Sequence, residues 1–280
     1  MTQDWFLEKH TPYAGLTLAV RERLHTRNSE FQQIEVLETV EFGRMLLLDG
    51  FVMLTARDEF IYHEMIVHPP LLLHGAPKRV LVIGGGDGGS VREALRHASV
   101  EWVTLVEIDP AVIETCRRFF PELANSLDDP RAEVVCQDGF AYLDQHPDAY
   151  DAIIVDSIDP VGEGAKLFTT AFYEKVKGAL RAGGVAVFQT ESPFYNGEVL
   201  AQVNRKLTPL FAHVAPFLAH IPTYPSGLWS FTFASNHIDP SQTAPNQPPP
   251  FQGALRYFNV EMCKAAFALP GYIRESLGEE

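Results

Sequence analysis

Residues 80–90 constrain this chain more than any other stretch. Val80-Leu81-Val82-Ile83 is an unbroken apolar run, and Gly84-Gly85-Gly86-Asp87-Gly88-Gly89 follows it directly. A continuous apolar run suits a strand buried on both faces, as in a parallel sheet. Gly84, Gly86 and Gly89 satisfy GxGxxG, and Ser90 to His97 continues as a helical pattern. Alone the pattern is weak, but between a strand and a helix it marks a turn where backbone can approach a nucleotide closely. Glu107 ends the next strand candidate, where a carboxylate can accept hydrogen bonds from ribose hydroxyls.

Strand and helix patterns then alternate. Trp102 to Val106, Ala132 to Cys136, Ala152 to Val155 and Gly184 to Phe188 read as strands. Ala111 to Phe120, Ala141 to Gln145 and Thr170 to Arg181 read as helices, with Gly183-Gly184 as a stop signal for the last. This alternation predicts an α/β fold with a parallel sheet. The first sixty residues read instead as β structure, in short runs Leu16–Val20, Gln33–Leu37, Arg44–Leu48 and Phe51–Leu54. Tyr62 to Val67 opens a helix that Pro69-Pro70 should disturb or end. Trp229 and Phe231 to Phe233 look like a core strand. Asn236 to Gly253 reads as a surface loop, and Ala254 to Leu269 carries enough apolar residues to need a core.

Composition narrows the function classes. Lys and Arg number 22 against 36 Asp and Glu, a formal net charge of −14. Such an excess argues against a phosphate backbone as ligand and is compatible with a cationic partner. The three cysteines, Cys116, Cys136 and Cys263, form no CxxC pair, which fits a reduced, cytoplasmic compartment. No basic segment followed by an apolar run opens the chain, and no apolar run reaches the ~20 residues of a membrane span. His63-Glu64-Met65-Ile66-Val67-His68 is HExxxH, not a zincin motif. Five helical residues rotate the second histidine ~140° from the first, so no metal site is read there.

Asp87 separates two ligand classes. Inside a glycine loop a carboxylate repels the pyrophosphate of a dinucleotide, and equally the α-carboxylate of S-adenosylmethionine, but favours an adenosyl ligand ending in an ammonium. Asp138-Gly139 and Asp156-Ser157-Ile158-Asp159-Pro160 follow later strands. Ligands of an open α/β sheet bind outside the carboxyl ends of its strands, so Asp87, Glu107, Asp138, Asp156 and Asp159 should surround one crevice. Aspartates in such loops also serve as helix N-caps.

With these residues in view, the chain resembles the spermidine synthase family of aminopropyltransferases. The resemblance is carried by Leu48-Asp49-Gly50, Asp58-Glu59-Phe60-Ile61-Tyr62-His63-Glu64-Met65, Gly84 to Gly89, Val106-Glu107-Ile108-Asp109, Asp156 to Pro160 and Ile221 to Gly227. Tyr257-Phe258-Asn259 and Ala265 to Pro270 extend it to the tail. It implies a small N-terminal β domain, residues 1–61, before a Rossmann-like, methyltransferase-type catalytic domain, residues 62–280. It implies decarboxylated S-adenosylmethionine as co-substrate, a diamine, usually putrescine, as acceptor, and spermidine and 5′-methylthioadenosine as products. No metal or tightly held cofactor is implied, and the chain is expected to form a homodimer or homotetramer. By the same resemblance Gln32, His63, Gly84, Gly86, Asp87, Glu107, Asp138 and Gly139 would contact the donor. Within that set Asp87 would hold the aminopropyl ammonium, Glu107 the ribose and Asp138 the adenine. Asp156 would be the general base, with Asp159, Tyr62 and Tyr224 beside it for the acceptor.

Ile158 departs from the family, which usually has Ser or Thr there. Gln189 and Glu191 lie just past a strand, within reach of the crevice, and a structural role is favoured for them. The loop Ser157 to Thr169, with Pro160, Gly162 and Gly164, is expected to close over the donor. Two other readings share the fold: an S-adenosylmethionine-dependent methyltransferase, and a non-catalytic nucleotide or polyamine-binding homologue.

Overall fold

The computed structural model describes residues 3–158, 162–243, 245 and 247–278. Residues 4–55 form an antiparallel meander of β1 (Asp4–Thr11), β2 (Ala14–Asn28), β3 (Gln33–Thr39), β4 (Arg44–Leu48) and β5 (Phe51–Thr55). Side chains on a strand alternate between faces, and here both faces are used. Ile34, Val36, Leu46 and Leu54 join the main core, whereas Leu18, Val20, Leu37, Met45 and Leu47 close a smaller one behind the sheet. Asp49 and Gly50, both at positive φ, make the β4–β5 turn that their sequence predicts. The sequence did not single out β1, whose Trp5 and Leu7 face outward and are exposed.

The second sheet contains β6 (Arg79–Gly84), β7 (Trp102–Glu107), β8 (Ala132–Cys136), β9 (Tyr150–Asp156), β10 (Leu180–Gln189), β11 (His213–His220) and β12 (Leu228–Ser235). Their spatial order is β11-β12-β10-β9-β6-β7-β8. The five strands from β8 to β10 are parallel, and β12 runs antiparallel to both its neighbours. The chain leaves β6 toward β7 on one side, while β9 pairs with β6 on the other. That reversal opens a crevice at the carboxyl ends of β6, β7 and β9. β11 escaped the sequence reading because it contains Pro216; a proline is tolerated there because β11 is an edge strand.

Helices connect these strands: α1 (Glu59–His74), α2 (Gly89–Leu95), α3 (Pro110–Phe119), α4 (Pro121–Ala124), α5 (Gly139–Asp144) and α6 (Thr170–Ala179), followed by α7 (Gly197–Leu207), α8 (Pro240–Thr243), α9 (Val260–Ala266) and α10 (Gly271–Leu277). Two sequence expectations are decided here. Of the two outcomes expected at Pro69-Pro70, disturbing or ending the helix, the ending does not occur, and α1 runs on to His74. Residues 61–71 of this helix are buried throughout, and that packing offsets the hydrogen bonds the prolines forgo. Gly183-Gly184 do not stop a helix either. The strand β10 begins at Leu180, directly after α6, and the glycines occupy a register break between Leu180 and Val185, with Gly183 at φ +85°.

The helix α1 ties the two sheets together. Tyr62, Met65 and Ile66 share one core with Ile34, Leu46 and Leu54 from the first sheet and Val80, Val82 and Ile154 from the second. Its carboxylates reach further. Asp58 accepts hydrogen bonds from Thr55 Oγ1 (2.5 Å), Thr223 N (3.0 Å) and Thr223 Oγ1 (2.8 Å). The buried Glu64 accepts from the amides of Arg256 (2.9 Å), Tyr257 (2.9 Å) and Phe258 (2.7 Å), and so fastens the C-terminal segment. Phe258, Val260, Cys263 and Ala266 of that segment are buried, as its apolar content predicts. Replacing Glu64 with Ala leaves three amides without their acceptor. It is expected to cost roughly 3–5 kcal/mol, read as a lowered denaturation midpoint. Glu64→Gln, which keeps one acceptor oxygen, should lose less.

Candidate active site

One cavity lies where β6, β7, β8 and β9 end. It is lined by Gln32, Tyr62, His63, Gly84, Gly86, Asp87, Glu107, Asp138, Gly139, Asp156 and Tyr224, all drawn from the sequence candidates. Asp159 lies outside the described residues, as do Pro160 and Val161. From the same loop Ile158, Gly164, Lys166 and Leu167 line the cavity.

The glycine loop makes room for carboxylates. Gly84 faces Asp156 across the β6–β9 pair, and a Cβ on Gly84 would stand 2.1 Å from the Asp156 carbonyl oxygen. A Cβ on Gly85 would stand 2.6 Å from Asp156 Oδ2. Side chains at these positions would push Asp156 out of the crevice. The absence of side chains therefore decides where the acid sits.

Asp156 accepts hydrogen bonds at both oxygens, from Tyr62 Oη to Oδ1 (2.7 Å) and from Ser90 Oγ to Oδ2 (2.6 Å). Burial raises its pKa and the nearby Asp87 charge adds to the rise. His63 and the two hydroxyls pull the other way without cancelling it. Tyr62 is pushed well above its usual pKa, first by burial and then by the Asp156 charge, so it stays a neutral donor.

Glu107 is buried at the end of β7, and its Oε1 accepts from the Asp109 amide (2.9 Å). Burial is the main cause that lifts its pKa to about 7, with Asp109's charge adding to it against backbone hydrogen bonds. Asp109 caps α3 and accepts from Ser29 Oγ (2.7 Å) and Gln32 Nε2 (3.0 Å), so Gln32 is tied to the same corner. Asp138 both lines the cavity and caps α5 through the Phe140 amide (2.7 Å). Its neighbour Gly139 closes on Ile83, which a Cβ would approach to 2.6 Å.

His63 stands between two acids. Nδ1 is 2.6 Å from Glu59 Oε2 and Nε2 is 3.2 Å from Asp87 Oδ1. His68, the other histidine of HExxxH, instead meets Glu93 (3.0 Å) and His97 (3.0 Å) in a separate buried cluster. Tyr224 Oη donates to the Met53 carbonyl, and its ring packs against Trp229 with centroids 4.7 Å apart.

Several residues here escaped the sequence reading. Ser90 holds Asp156, and Glu8 and Trp229 line the cavity. Of the pair the sequence placed within reach of the crevice, Gln189 lines the cavity, with its Nε2 near the Ile158 carbonyl (3.5 Å), whereas Glu191 is buried against Asn196 (2.8 Å). Glu8 accepts from the Val52 amide (2.7 Å). A signal existed for it: strand alternation puts Glu8 on the same side as Phe6, facing inward, an unusual place for an acid.

Comparison with known proteins supports the same arrangement of two units. The Spermidine synthase tetramerisation domain matches residues 4–56, and the Spermine/spermidine synthase domain matches residues 59–244. The chain belongs to the spermine/spermidine synthase family. A polyamine aminopropyltransferase of Bacillus subtilis (strain 168) is 45% identical over 98% of this chain and 99% of its own length. One of Desulforudis audaxviator is 44% identical over 97% and 98%. A crystal structure of spermidine synthase in complex with the transition state analogue AdoDATO superposes with a TM-score of 0.95. It is 41% identical and covers 98% of this chain and 94% of its own. Spermidine synthase from Thermotoga maritima gives 0.94 at 40% identity, over 99% and 95% of the two chains. The N-terminal β sheet followed by a Rossmann-like sheet is thus the family fold.

Glu107 has a stability consequence with a definite sign. Its folded pKa lies above the unfolded value of ~4.3, so its contribution is present at low pH and lost as pH rises through about 7. The stability of wild type relative to Glu107→Gln should therefore fall between pH 5 and pH 8, measured by chemical denaturation. A difference that stays flat or rises would contradict the assignment.

Proposed function

We propose that this chain transfers the aminopropyl group of decarboxylated S-adenosylmethionine to putrescine or a similar diamine, giving spermidine and 5′-methylthioadenosine. The observation that carries the reading is the pair Asp87 and Asp156 on one cavity wall, in a chain of this family. Asp87 takes the donor's aminopropyl ammonium. Glu107 takes the ribose hydroxyls, Asp138 and Gly139 the adenine, and Gln32, Gly84 and Gly86 shape the pocket around them. Tyr62 and Tyr224 flank the acceptor, whose ammonium groups favour aromatic faces. Asp159 is carried over from the sequence as a second acid for the acceptor.

A diamine is mostly ammonium at neutral pH, because alkylammonium groups titrate near ~10.4. An ammonium has no lone pair, so one proton must leave before attack. Asp156 accepts it; each of its oxygens keeps a lone pair beyond the hydrogen bond it already receives. Its raised pKa makes it a stronger base than an exposed aspartate. The freed amine attacks the aminopropyl carbon bound to sulfur. The N–C bond forms, the S–C bond breaks, and sulfur keeps the bonding pair as the neutral sulfide of methylthioadenosine.

Self-association as a homodimer or homotetramer is supported by the match of residues 4–56 and by the exposed Trp5 and Leu7 of β1 and Tyr13 of the β1–β2 turn. Among the described residues the cysteines are free thiols, and no helix is long and apolar enough to cross a membrane; a cytoplasmic setting accords with both.

The test supplies purified protein with decarboxylated S-adenosylmethionine and putrescine, cadaverine, 1,3-diaminopropane or spermidine, and follows products by mass spectrometry. Aminopropylated putrescine is expected. No aminopropylated product from any amine, or methyl transfer from S-adenosylmethionine, would overturn the reading. Asp156→Asn should bind the donor nearly as the wild type does and lose ~10²–10⁴-fold in turnover. Weak donor binding with preserved turnover would reverse the role of Asp156.

A further inference from the structure

The Asp87 carboxylate meets His63 at the cavity wall, and behind His63 stand two side chains that do not line the cavity, Glu59 and Arg92. Both contacts of the Asp87 carboxylate among the described residues converge on Oδ1, from the Gly89 amide (2.7 Å) and His63 Nε2 (3.2 Å), which leaves Oδ2 for a ligand. The ring of His63 is itself held from behind, where Nδ1 meets Glu59 Oε2 at 2.6 Å. Arg92 then grips Glu59 with two parallel hydrogen bonds, Nη1 to Oε1 (3.1 Å) and Nη2 to Oε2 (3.0 Å). Such a fork fixes a carboxylate in direction as well as position.

We propose that Glu59, clamped by Arg92, is a positioning residue that acts through the His63 ring to set Asp87 for the donor's aminopropyl ammonium. This rests on the donor reading above. The chemistry of the ring supports it. Both nitrogens of His63 face carboxylate oxygens, which only accept, and a neutral imidazole has a single N–H. Only the imidazolium satisfies both contacts. Burial opposes that charge, yet Asp87 and Glu59 outweigh it and raise the His63 pKa to about 10. The ring lies directly over Gly89, where a Cβ would stand 2.3–2.4 Å from its atoms, so a larger residue there would displace it. The last glycine of the loop thus accommodates this ring at the start of α2. Without the Glu59 charge, the ring loses one of the two carboxylates that hold its second proton, and the contact at Asp87 Oδ1 loses the fixed, charged donor that sets its direction.

The test compares two ligands that differ at the group in question. Decarboxylated S-adenosylmethionine carries the aminopropyl ammonium, and 5′-methylthioadenosine lacks it. Glu59→Gln is expected to weaken donor binding about tenfold or more, the scale of one charge-assisted contact. Binding of methylthioadenosine should change by less than about twofold, and the variant should raise KM for the donor more than it lowers kcat. Equal weakening of both ligands would mean a general structural role, and unchanged donor binding would mean no role; either overturns the proposal. A measurement on the wild type needs no variant to fold: in ¹⁵N-histidine-labelled protein at pH 8, His63 should show both ring nitrogens protonated. A neutral His63 ring overturns the proposal as well. A wild type that does not bind the donor removes the functional reading itself. Donor binding by the wild type that Glu59→Gln leaves intact removes only this inference.

Discussion

Close approach between a backbone without side chains and a ring of ionisable groups governs the rest of this structure. The loop from Gly84 to Gly89 passes so near Asp156, Glu107 and His63 that a methyl group at Gly84, Gly85, Gly86 or Gly89 would meet one of them at 3.0 Å or less. The sheet brings the strand ends together, and the glycines let the acids occupy the space between. Asp156 then lies near Asp87, and their mutual repulsion contributes to the raised pKa of Asp156. Two hydroxyls and the His63 charge keep that repulsion from expelling the pair.

The segment from Asp58 to Met65 shows how about two turns of helix can organise a whole chain. Asp58 holds the Thr223 loop and Glu64 holds the backbone of residues 256–258. Tyr62 reaches Asp156, while Glu59 and His63 reach toward Asp87. Because residues 61–71 are buried throughout, the polar groups there need partners, and those of Tyr62 and Glu64 come from distant parts of the chain. A buried polar group is costly when unpaired, so these contacts also specify how the two sheets and the C-terminal segment dock.

Much of this was legible from residue order. A run of apolar residues, a glycine cluster and an acid after the next strand are local signals, and they led to β6, the loop and Glu107 without any tertiary information. The eleven described candidates all line one cavity because the carboxyl ends of parallel strands converge. The failures were places where packing outweighs local preference. Two prolines sit inside α1 because burial offsets their missing bonds, and Gly183-Gly184 bend a strand where a helix stop was read. Ser90 belongs to no local pattern, and it and Glu8 acquire their partners only when distant elements meet.

The sequence by itself determined which groups are available: a glycine loop between a strand and a helix, an acid within that loop, and a carboxylate at the end of β9. It did so because residue type and spacing along one strand–turn–helix unit are short-range properties. Only the tertiary structure decided which acid is held by which donor, and so which is ionised and where it points. Asp87 and Glu59 lie on different elements, and nothing in their separation along the chain shows that one imidazole ring joins them. Hydrogen bonding and burial set protonation states through space, and distance in space is what folding adds to sequence.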